Sequence, residues 1–208
     1  MKKILIPFFI ALLTYSCGQT QNKTEIKTNQ STQLEKAYFA AGCFWCVEAI
    51  FESVNGVEEV ISGYAGGTQK NPTYQKVSYG LTDHAEAVEV IYDPKKVSFK
   101  TLVEVFYGSH DPTTLNRQGP DKGKQYRSIA FYSNEKEEVT INMLTKELNQ
   151  STFDGKIVTQ IQQIETFYKA EDYHQNYERL NPENPYVQNV SIPRLNRFKK
   201  KFPHLLKH

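Results

Sequence analysis

Two cysteines, Cys43 and Cys46, stand three residues apart in the segment Gly-Cys-Phe-Trp-Cys. Apolar residues recur at helical spacing from this point onward, so Cys43 is predicted to lie where a strand ends and a helix begins. The free amides and the dipole at a helix N-terminus favour a thiolate, which predicts a lowered pKa for Cys43. We therefore expect Cys43 to be a nucleophile. Cys46 follows one turn later on the same face, where it can attack whatever Cys43 becomes.

The cysteine pair alone admits other interpretations. It could be a buried pair of small hydrophobic residues or half of a zinc site. Zinc would need two further ligands, but the chain has no second pair with this spacing and its five histidines are scattered. A strand followed by such a pair is also typical of a thioredoxin-like thiol-disulfide oxidoreductase. A third alternative is a lipid-anchored binding module in which the thiols are inert.

Hydrophobic periodicity predicts the elements that must position the two cysteines. The predicted strands are 36–41, 57–64, 85–92, 128–132 and 157–164, and the predicted helices are 43–53, 99–107 and 134–148. This order, followed by extra C-terminal elements, is typical of an α+β fold, a ferredoxin-like split βαβ sandwich with a mixed sheet and helices on one face. The connections 66–83 and 108–126 are longer than most loops, so we expect them to carry function.

The composition describes a globular protein. The chain has 208 residues, of which 39% are hydrophobic and 23% are charged, and 25 basic against 23 acidic residues give a formal net charge of +2. This balance argues against a nucleic-acid-binding protein. The segment 191–208 holds six Lys or Arg and no acid. We interpret it as an amphipathic C-terminal helix with Leu195 and Phe198 packed inward and its cations in solvent.

The first residues predict export. Lys2 and Lys3 precede ten apolar residues, 4–13, and a short polar stretch then leads to Cys17. Ten residues cannot span ~30 Å of hydrocarbon, and the order is that of a secretory signal.

A cysteine at the cleavage point resembles the bacterial lipoprotein signal, which implies that residues 1–16 are removed and that Cys17 is lipidated. The alternative is a plain secretory signal with Cys17 as a free thiol. Polar residues make 17–36 a flexible tether before a folded domain at 37–208. The expected location is the bacterial cell envelope, on the periplasmic or outer-membrane side, with the lipid as the sole membrane contact.

Several motifs surround the cysteine pair in one order. They are Gly-Tyr-Ala-Gly-Gly at 63–67, Asn-Pro-Thr-Tyr at 71–74, His-Ala-Glu at 84–86, His-Asp-Pro-Thr at 110–113 and Asn-Arg-Gln-Gly-Pro-Asp-x-Gly-x-Gln-Tyr-Arg-Ser at 116–128. Together with Gly-Cys-Phe-Trp they closely resemble the A-type peptide methionine sulfoxide reductases, from about residue 38 to 202. The resemblance implies that the domain repairs oxidative damage by reducing methionine-S-sulfoxide, in proteins and as the free amino acid, to methionine.

The resemblance also assigns roles to individual residues. A sulfoxide sulfur is a weak electrophile until its oxygen is protonated, so the attack by a thiolate needs an acid. Glu86 is that acid, and burial beside Cys43 would raise its pKa and keep it neutral. The hydroxyls of Tyr74 and Tyr126 would bind the same oxygen.

The substrate itself would be held by further residues that the resemblance indicates. Asp121 would position it, with help from His174. Phe44 and Trp45 would form the apolar wall that receives the methyl group on sulfur.

A resolving thiol must then reduce the sulfenic acid left on Cys43. Many members of the family carry it near the C-terminus, but here Val187 follows Asn-Pro-Tyr and no further cysteine appears. With Cys17 assigned to the lipid, Cys46 is the resolving candidate, which gives a Cys43–Cys46 disulfide. We expect a thioredoxin-like protein to reduce it, because the chain has no nicotinamide or flavin motif of its own. We expect a monomer without cofactor or metal.

Overall fold

The computed structural model describes residues 33–207. The predicted signal, Cys17 and most of the predicted tether lie outside this range. Within it, no helix is long and apolar enough to cross a membrane. In the same range, no group of three or more His, Cys, Asp and Glu side chains is arranged to hold a metal ion.

Eight strands and six helices build the described part of the chain. The strands are β1 (Glu35–Ala41), β2 (Val57–Ala65), β3 (Ala85–Tyr92), β4 (Arg117–Gln118), β5 (Asp121–Lys122), β6 (Ser128–Tyr132), β7 (Gln160–Gln163) and β8 (Tyr168–Lys169). The helices are α1 (Phe44–Glu52), α2 (Tyr74–Ser78), α3 (Phe99–Ser109), α4 (Glu135–Ser151), α5 (Tyr177–Leu180) and α6 (Ile192–Lys201).

One sheet of six strands, in the order β7-β6-β1-β3-β2-β8, organises the fold. Its pairs are antiparallel except for β6 with β7, so the sheet is mixed. Helix α1 connects β1 to β2, but these two strands are not neighbours in the sheet, because β3 lies between them. This inserted strand is the mark of a split βαβ unit, and the predicted α+β fold is confirmed.

Aromatic packing defines the main core on the face of the sheet that α1 and α3 cover. The ring of Phe39 in β1 stacks on Phe51 of α1 at 5.1 Å and on Phe106 of α3 at 5.2 Å between centroids. A smaller cluster that includes Ala87 and Phe131 lies on the opposite face. Because both faces are covered, seven of the eight residues of β3 are buried, and that strand can carry a side chain away from water.

Capping residues explain where the helices begin. The Ser98 hydroxyl accepts a hydrogen bond from the amide of Thr101 at the start of α3. Asn134 does the same for the amide of Glu137 at the start of α4. Each such cap satisfies an otherwise free amide and is worth about 1 kcal/mol.

The structure differs from the prediction mainly in the connections. The long segment 66–83 contains the short helix α2, and 108–126 contains the β4–β5 hairpin. Neither element has enough residues to show a hydrophobic period. The last predicted strand, 157–164, is reduced to β7 because this edge strand pairs with β6 over four residues only.

The C-terminal helix α6 is amphipathic, with Phe198 buried as predicted and Leu195 half-buried. The prediction that its cations face solvent is wrong for Arg194, which is 8% exposed. The guanidinium is drawn inward because it donates hydrogen bonds to two backbone carbonyls of the core.

Candidate active site

The turn between β1 and α1 places both cysteines. Gly42 adopts a φ of +91°, which favours glycine, and a Cβ there would approach the side chain of Gln118 to 2.6 Å. Cys43 follows as the N-cap of α1, and Cys46 lies in its first turn. Both are free thiols, 6% and 1% exposed respectively. The predicted position of the pair is therefore confirmed.

The predicted lowering of the Cys43 pKa is wrong for the substrate-free protein. Burial raises the pKa of Cys43, and its hydrogen bond to Cys46 raises it further. The helix start gives no direct compensation, because the first amide of α1, that of Phe44, donates to the Glu86 carboxyl at 3.0 Å rather than to the sulfur. Cys43 makes no capping hydrogen bond with its side chain.

Cys46 carries the negative charge of the pair instead. The hydrogen bond from Cys43 lowers the pKa of Cys46 to about 6, with further help from the positive charge of Arg194 and from the hydroxyls of Ser191 and Tyr186, against the opposing effect of burial. Two strongly coupled thiols titrate as a unit. At neutral pH they therefore share one proton, held on Cys43, and one negative charge, held on Cys46.

Glu86 projects from β3 toward this pair. Its side chain is 2% exposed, and burial raises its pKa to about 8. The hydrogen bond from the Phe44 amide opposes this shift but does not cancel it. At neutral pH the carboxyl is mostly protonated, as the sequence predicts, and it can supply a proton beside Cys43.

The hydroxyls of Tyr74 and Tyr126 belong to the same cluster. Both tyrosines are half-buried, and both lie near enough to Glu86 and Cys43 for the ionisation of those groups to raise the pKa values of the tyrosines. Burial, followed by the Glu86 charge, raises the pKa of Tyr74 to about 12 and raises that of Tyr126 as well. Both hydroxyls therefore remain hydrogen-bond donors at neutral pH.

Tyr74 owes its position to a residue that the sequence did not single out. The carboxylate of Glu171 accepts a hydrogen bond from the Tyr74 amide at 2.9 Å and another from the Tyr64 hydroxyl at 2.7 Å. These contacts connect the start of α2 to β2. Glu171 lies three residues before His174 in the segment Ala-Glu-Asp-Tyr-His.

An aromatic cluster forms one wall of the site. The indole of Trp45 stacks on Tyr177 at 3.7 Å, and its Nε1 donates to His174 Nδ1 at 3.1 Å. His174 is buried, which lowers its pKa and keeps it a neutral acceptor. The Phe44 ring lies 5.0 Å from His174 and 6.3 Å from Tyr74. His174 therefore holds the Trp45 indole in place by accepting its hydrogen bond.

Asp121 is linked to the thiols through Tyr186, a second residue that sequence reasoning missed. The Tyr186 hydroxyl donates to Asp121 Oδ2 at 2.6 Å and lies 3.9 Å from the Cys46 sulfur. Its ring meets the edge of Trp45 at 5.9 Å. Tyr186 thus contacts Asp121, Trp45 and Cys46. In the sequence it is notable only as the last residue of Asn-Pro-Tyr, after which no further cysteine appears.

Comparisons with known proteins agree with this geometry. A family model described as peptide methionine sulfoxide reductase matches residues 35–206. The peptide methionine sulfoxide reductase MsrA of Polynucleobacter asymbioticus is 44% identical over 183 residues, which cover 88% of this chain and 96% of the relative.

Solved structures show the same fold. The reduced form of Mxr1 from Saccharomyces cerevisiae matches with a TM-score of 0.68 and 34% identity, over 74% of this chain and 89% of that one. Mxr1 in complex with Trx2 matches with a TM-score of 0.50 and 25% identity, over 74% of this chain and 91% of that one.

The shared proton of the thiol pair can be followed by thiolate absorbance in the ultraviolet. In the full chain carrying Cys17→Ala, we expect one thiolate to form with a midpoint near pH 6, because Cys46 ionises first. In the additional variant Cys46→Ser, that step should vanish and the remaining thiol should ionise above its ordinary range, since burial still opposes the Cys43 charge. A step near pH 6 that survives Cys46→Ser and is lost in Cys43→Ser would contradict this assignment.

Proposed function

Because the chain belongs to the peptide methionine sulfoxide reductase family, we propose that Cys43, Glu86 and Cys46 reduce methionine-S-sulfoxide to methionine in successive steps. The chain is an oxidoreductase of this class, so the thioredoxin-like and non-catalytic alternatives fall away. One observation carries the assignment of roles. The Phe44 amide, next to Cys43, binds the buried Glu86 carboxyl at 3.0 Å and so holds an acid beside the nucleophile.

In the first step, the Cys43 sulfur attacks the sulfoxide sulfur while Glu86 gives its proton to the oxygen. The Cys43 proton passes to the Cys46 thiolate, whose pKa is coupled to that of Cys43. The hydroxyls of Tyr74 and Tyr126 bind the oxygen as it takes up the proton. The S–O bond of the protonated sulfoxide then breaks as its oxygen bonds to the Cys43 sulfur, and the transient bond between the two sulfurs breaks as well. Methionine leaves with both electrons of that bond, and Cys43 becomes a sulfenic acid. Glu86 is now a carboxylate, so protons and charge balance.

Trp45 and Phe44 supply the apolar wall against which the methyl group on sulfur rests. The stacking of Trp45 on Tyr177 and its hydrogen bond to His174 fix the indole before substrate arrives. A wall that is already rigid loses less conformational entropy on binding. His174 therefore acts on the substrate through Trp45, and Asp121 acts through its hydrogen bond with Tyr186.

In the second step, the Cys46 sulfur attacks the Cys43 sulfur. The new S–S bond replaces the S–O bond of the sulfenic acid, and the oxygen leaves as water with the proton of the Cys46 thiol. The product is a Cys43–Cys46 disulfide. The spacing of three residues, from Cys43 at the N-cap of α1 to Cys46 in the first turn, supports this pairing.

A thioredoxin-like dithiol protein then reduces the disulfide and restores the enzyme. The complex of Mxr1 with Trx2 supports this partner, because it brings a structurally similar chain together with a thioredoxin. Substrates are oxidised proteins and free methionine sulfoxide, and the enzyme acts as a monomer. A two-electron reduction by a dithiol needs no nicotinamide, flavin or metal of the enzyme's own.

We also propose that lipidated Cys17 holds the enzyme at the bacterial cell envelope, through the tether 17–36. The charge of Lys2 and Lys3, the ten apolar residues 4–13 and the cysteine that follows support this location. Each buried methylene of a lipid contributes about 0.8 kcal/mol, so multiple acyl chains anchor a protein without a membrane-spanning helix.

The anchor can be tested by detergent phase partitioning of protein made in a bacterium. Wild-type chain should enter the detergent phase, and Cys17→Ala should stay in the aqueous phase because it has no site for the lipid. Cys46→Ser, which changes a cysteine of the folded domain, should partition like the wild type. Equal partitioning of wild type and Cys17→Ala would exclude the lipid.

The acid role of Glu86 predicts a loss of turnover in Glu86→Gln of about 10²- to 10⁴-fold, the usual contribution of a positioned general acid. Reduction of methyl p-tolyl sulfoxide with dithiothreitol measures this loss. Wild-type activity should fall as pH rises through about 8, since Glu86 must be protonated to act. Glu89→Gln, the same change on the same strand, should retain activity. A Glu86→Gln enzyme within twofold of the wild type would remove Glu86 from the chemistry.

If Cys46 is the resolving thiol, its loss should leave a single turnover intact and prevent repeated turnover. Cys46→Ser should release about one methionine per enzyme and then stop when thioredoxin is the reductant, because no disulfide forms. Cys43→Ser should release none. Mass spectrometry after a stoichiometric dose of sulfoxide should find the Cys43–Cys46 disulfide in the wild type. Continued cycling of Cys46→Ser with thioredoxin would overturn the assignment.

A further inference from the structure

Arg194 is a buried cation behind the thiol pair. Its Nε donates to the Ser109 carbonyl at 2.7 Å, and one terminal nitrogen, Nη2, donates to the Ala41 carbonyl at 2.8 Å. Between residues 33 and 207, no carboxylate forms an ion pair with it. The next arginine of α6, Arg197, is exposed and lies with Arg194 along a cavity of about 330 Å³.

A buried guanidinium needs an anion nearby. Moving such a charge out of water costs several kcal/mol, and hydrogen bonds to two neutral carbonyls offset only part of that free energy. The other terminal nitrogen, Nη1, lies 3.6 Å from the point that a Cβ on Gly42 would occupy, directly before Cys43. The negative charge of the thiol pair is therefore well placed to balance Arg194.

Helix α6 and the residues before it direct more than one group at Cys46. Ser191, three residues before Arg194, donates its hydroxyl hydrogen to the Glu178 carboxyl and also helps to lower the pKa of Cys46, so both Ser191 and Arg194 lie on the side of this segment that faces the first turn of α1. The titratable and charged groups that surround Cys46 come from several elements. They are Cys43 at the start of α1, Glu86 on β3, Asp121 on β5, Tyr186 before α6 and Arg194 on α6.

Among these groups Arg194 supplies the positive charge. His110 also lies near the guanidinium, but burial lowers its pKa to about 3 and both ring nitrogens are hydrogen-bonded, so it is neutral. Glu86 is mostly protonated at neutral pH, whereas the Asp121 carboxyl accepts the Tyr186 hydroxyl and, like Cys46, is influenced by the charge of Arg194. The electrostatic partner of the Cys46 sulfur is thus Arg194.

We propose that Arg194 is a positioning residue of the reductive cycle, whose buried charge holds Cys46 as a thiolate in the resting enzyme and again when Cys46 attacks oxidised Cys43. This inference rests on the proposed function of Cys46 as the resolving thiol. In the attack, the Cys46 thiol, which took up the Cys43 proton in the first step, ionises beside Arg194. The resulting thiolate forms the S–S bond as the S–O bond of the Cys43 sulfenic acid breaks, and the departing hydroxide takes the proton released by Cys46 to become water. Cys46 is oxidised and the Cys43 sulfur is reduced.

A guanidinium suits this role because it stays charged at every pH at which the enzyme works. The thiolate is the reactive form in disulfide chemistry, so its fraction sets the rate of the attack. Because Arg194 is buried, its effect on Cys46 should persist at salt concentrations that screen surface charges.

The test compares Arg194→Gln, Arg194→Lys and Arg197→Gln in the full chain, with Cys17→Ala as the common background. Glutamine retains a donor for a carbonyl but removes the charge, lysine retains the charge, and Arg197→Gln makes the same change on an exposed neighbour. Thiolate absorbance gives the midpoint of Cys46 ionisation. Quenched-flow samples, taken after one equivalent of methyl p-tolyl sulfoxide, give the times of sulfide release and of disulfide formation.

We expect the ionisation midpoint to rise by at least one pH unit in Arg194→Gln, which slows disulfide formation at pH 6 by at least about fivefold and lets the sulfenic acid accumulate. Arg194→Lys and Arg197→Gln should keep the wild-type midpoint. A folded Arg194→Gln enzyme with the wild-type midpoint would overturn the proposal.

Should Arg194→Gln fail to fold, Arg194→Lys decides, because a raised midpoint in that variant would show that the charge does not govern Cys46. The failure of the proposed function would look different. In that case the wild type itself would release sulfide without ever forming a Cys43–Cys46 disulfide.

Discussion

A single hydrogen bond, from the Phe44 amide to Glu86 Oε2, joins the start of the helix that carries the thiols to the central strand that carries the acid. It uses a donor that every helix start leaves free. The bond fixes the distance between acid and nucleophile through the backbone, without a flexible side chain on the helix side. It also explains why Cys43 is not activated in the substrate-free protein, since the amide that could have stabilised its thiolate is engaged by Glu86.

The distribution of charge in the site follows from burial. Thiols and carboxyls in one buried cluster cannot all be ionised, because each desolvated anion raises the pKa of the next. The structure resolves this conflict by leaving Glu86 and Cys43 protonated and placing the negative charge on Cys46, beside the cation of Arg194. The first step uses the Glu86 proton as its acid and moves the Cys43 proton to Cys46. The resting enzyme therefore holds its acid ready for the sulfoxide oxygen, while the Cys43 thiol must still give up its proton to attack.

Hydrophobic periodicity was sufficient to predict the main strands and helices. It failed for the protonation state or position of side chains that depend on one specific tertiary contact. Periodicity predicted the strand that forms β3, whereas the burial of Glu86 on it was expected from the resemblance to the family and not from the strand pattern. The helix-dipole argument for Cys43 failed because a sequence does not reveal which acceptor takes the first amide. The pattern predicted an exposed Arg194 because hydrophobic periodicity indicates only that a residue is polar. It does not indicate that two backbone carbonyls of the core accept hydrogen bonds from this side chain. Glu171 and Tyr186 act through partners more than 60 residues away in the chain, as in the bond from Tyr186 to Asp121 with a separation of 65 residues, and no local pattern encodes such pairs.

The protonation state of Glu86 can be observed directly by infrared difference spectroscopy of the reduced, substrate-free enzyme against its Glu86→Gln variant. If a buried neutral carboxyl stands beside the nucleophile, the difference spectrum at neutral pH should contain the carbonyl stretch of a protonated carboxyl, and this band should give way to carboxylate bands as pH rises through about 8. Carboxylate bands alone at neutral pH would contradict the proposed chemistry, because the sulfoxide oxygen would then have no proton donor at that position.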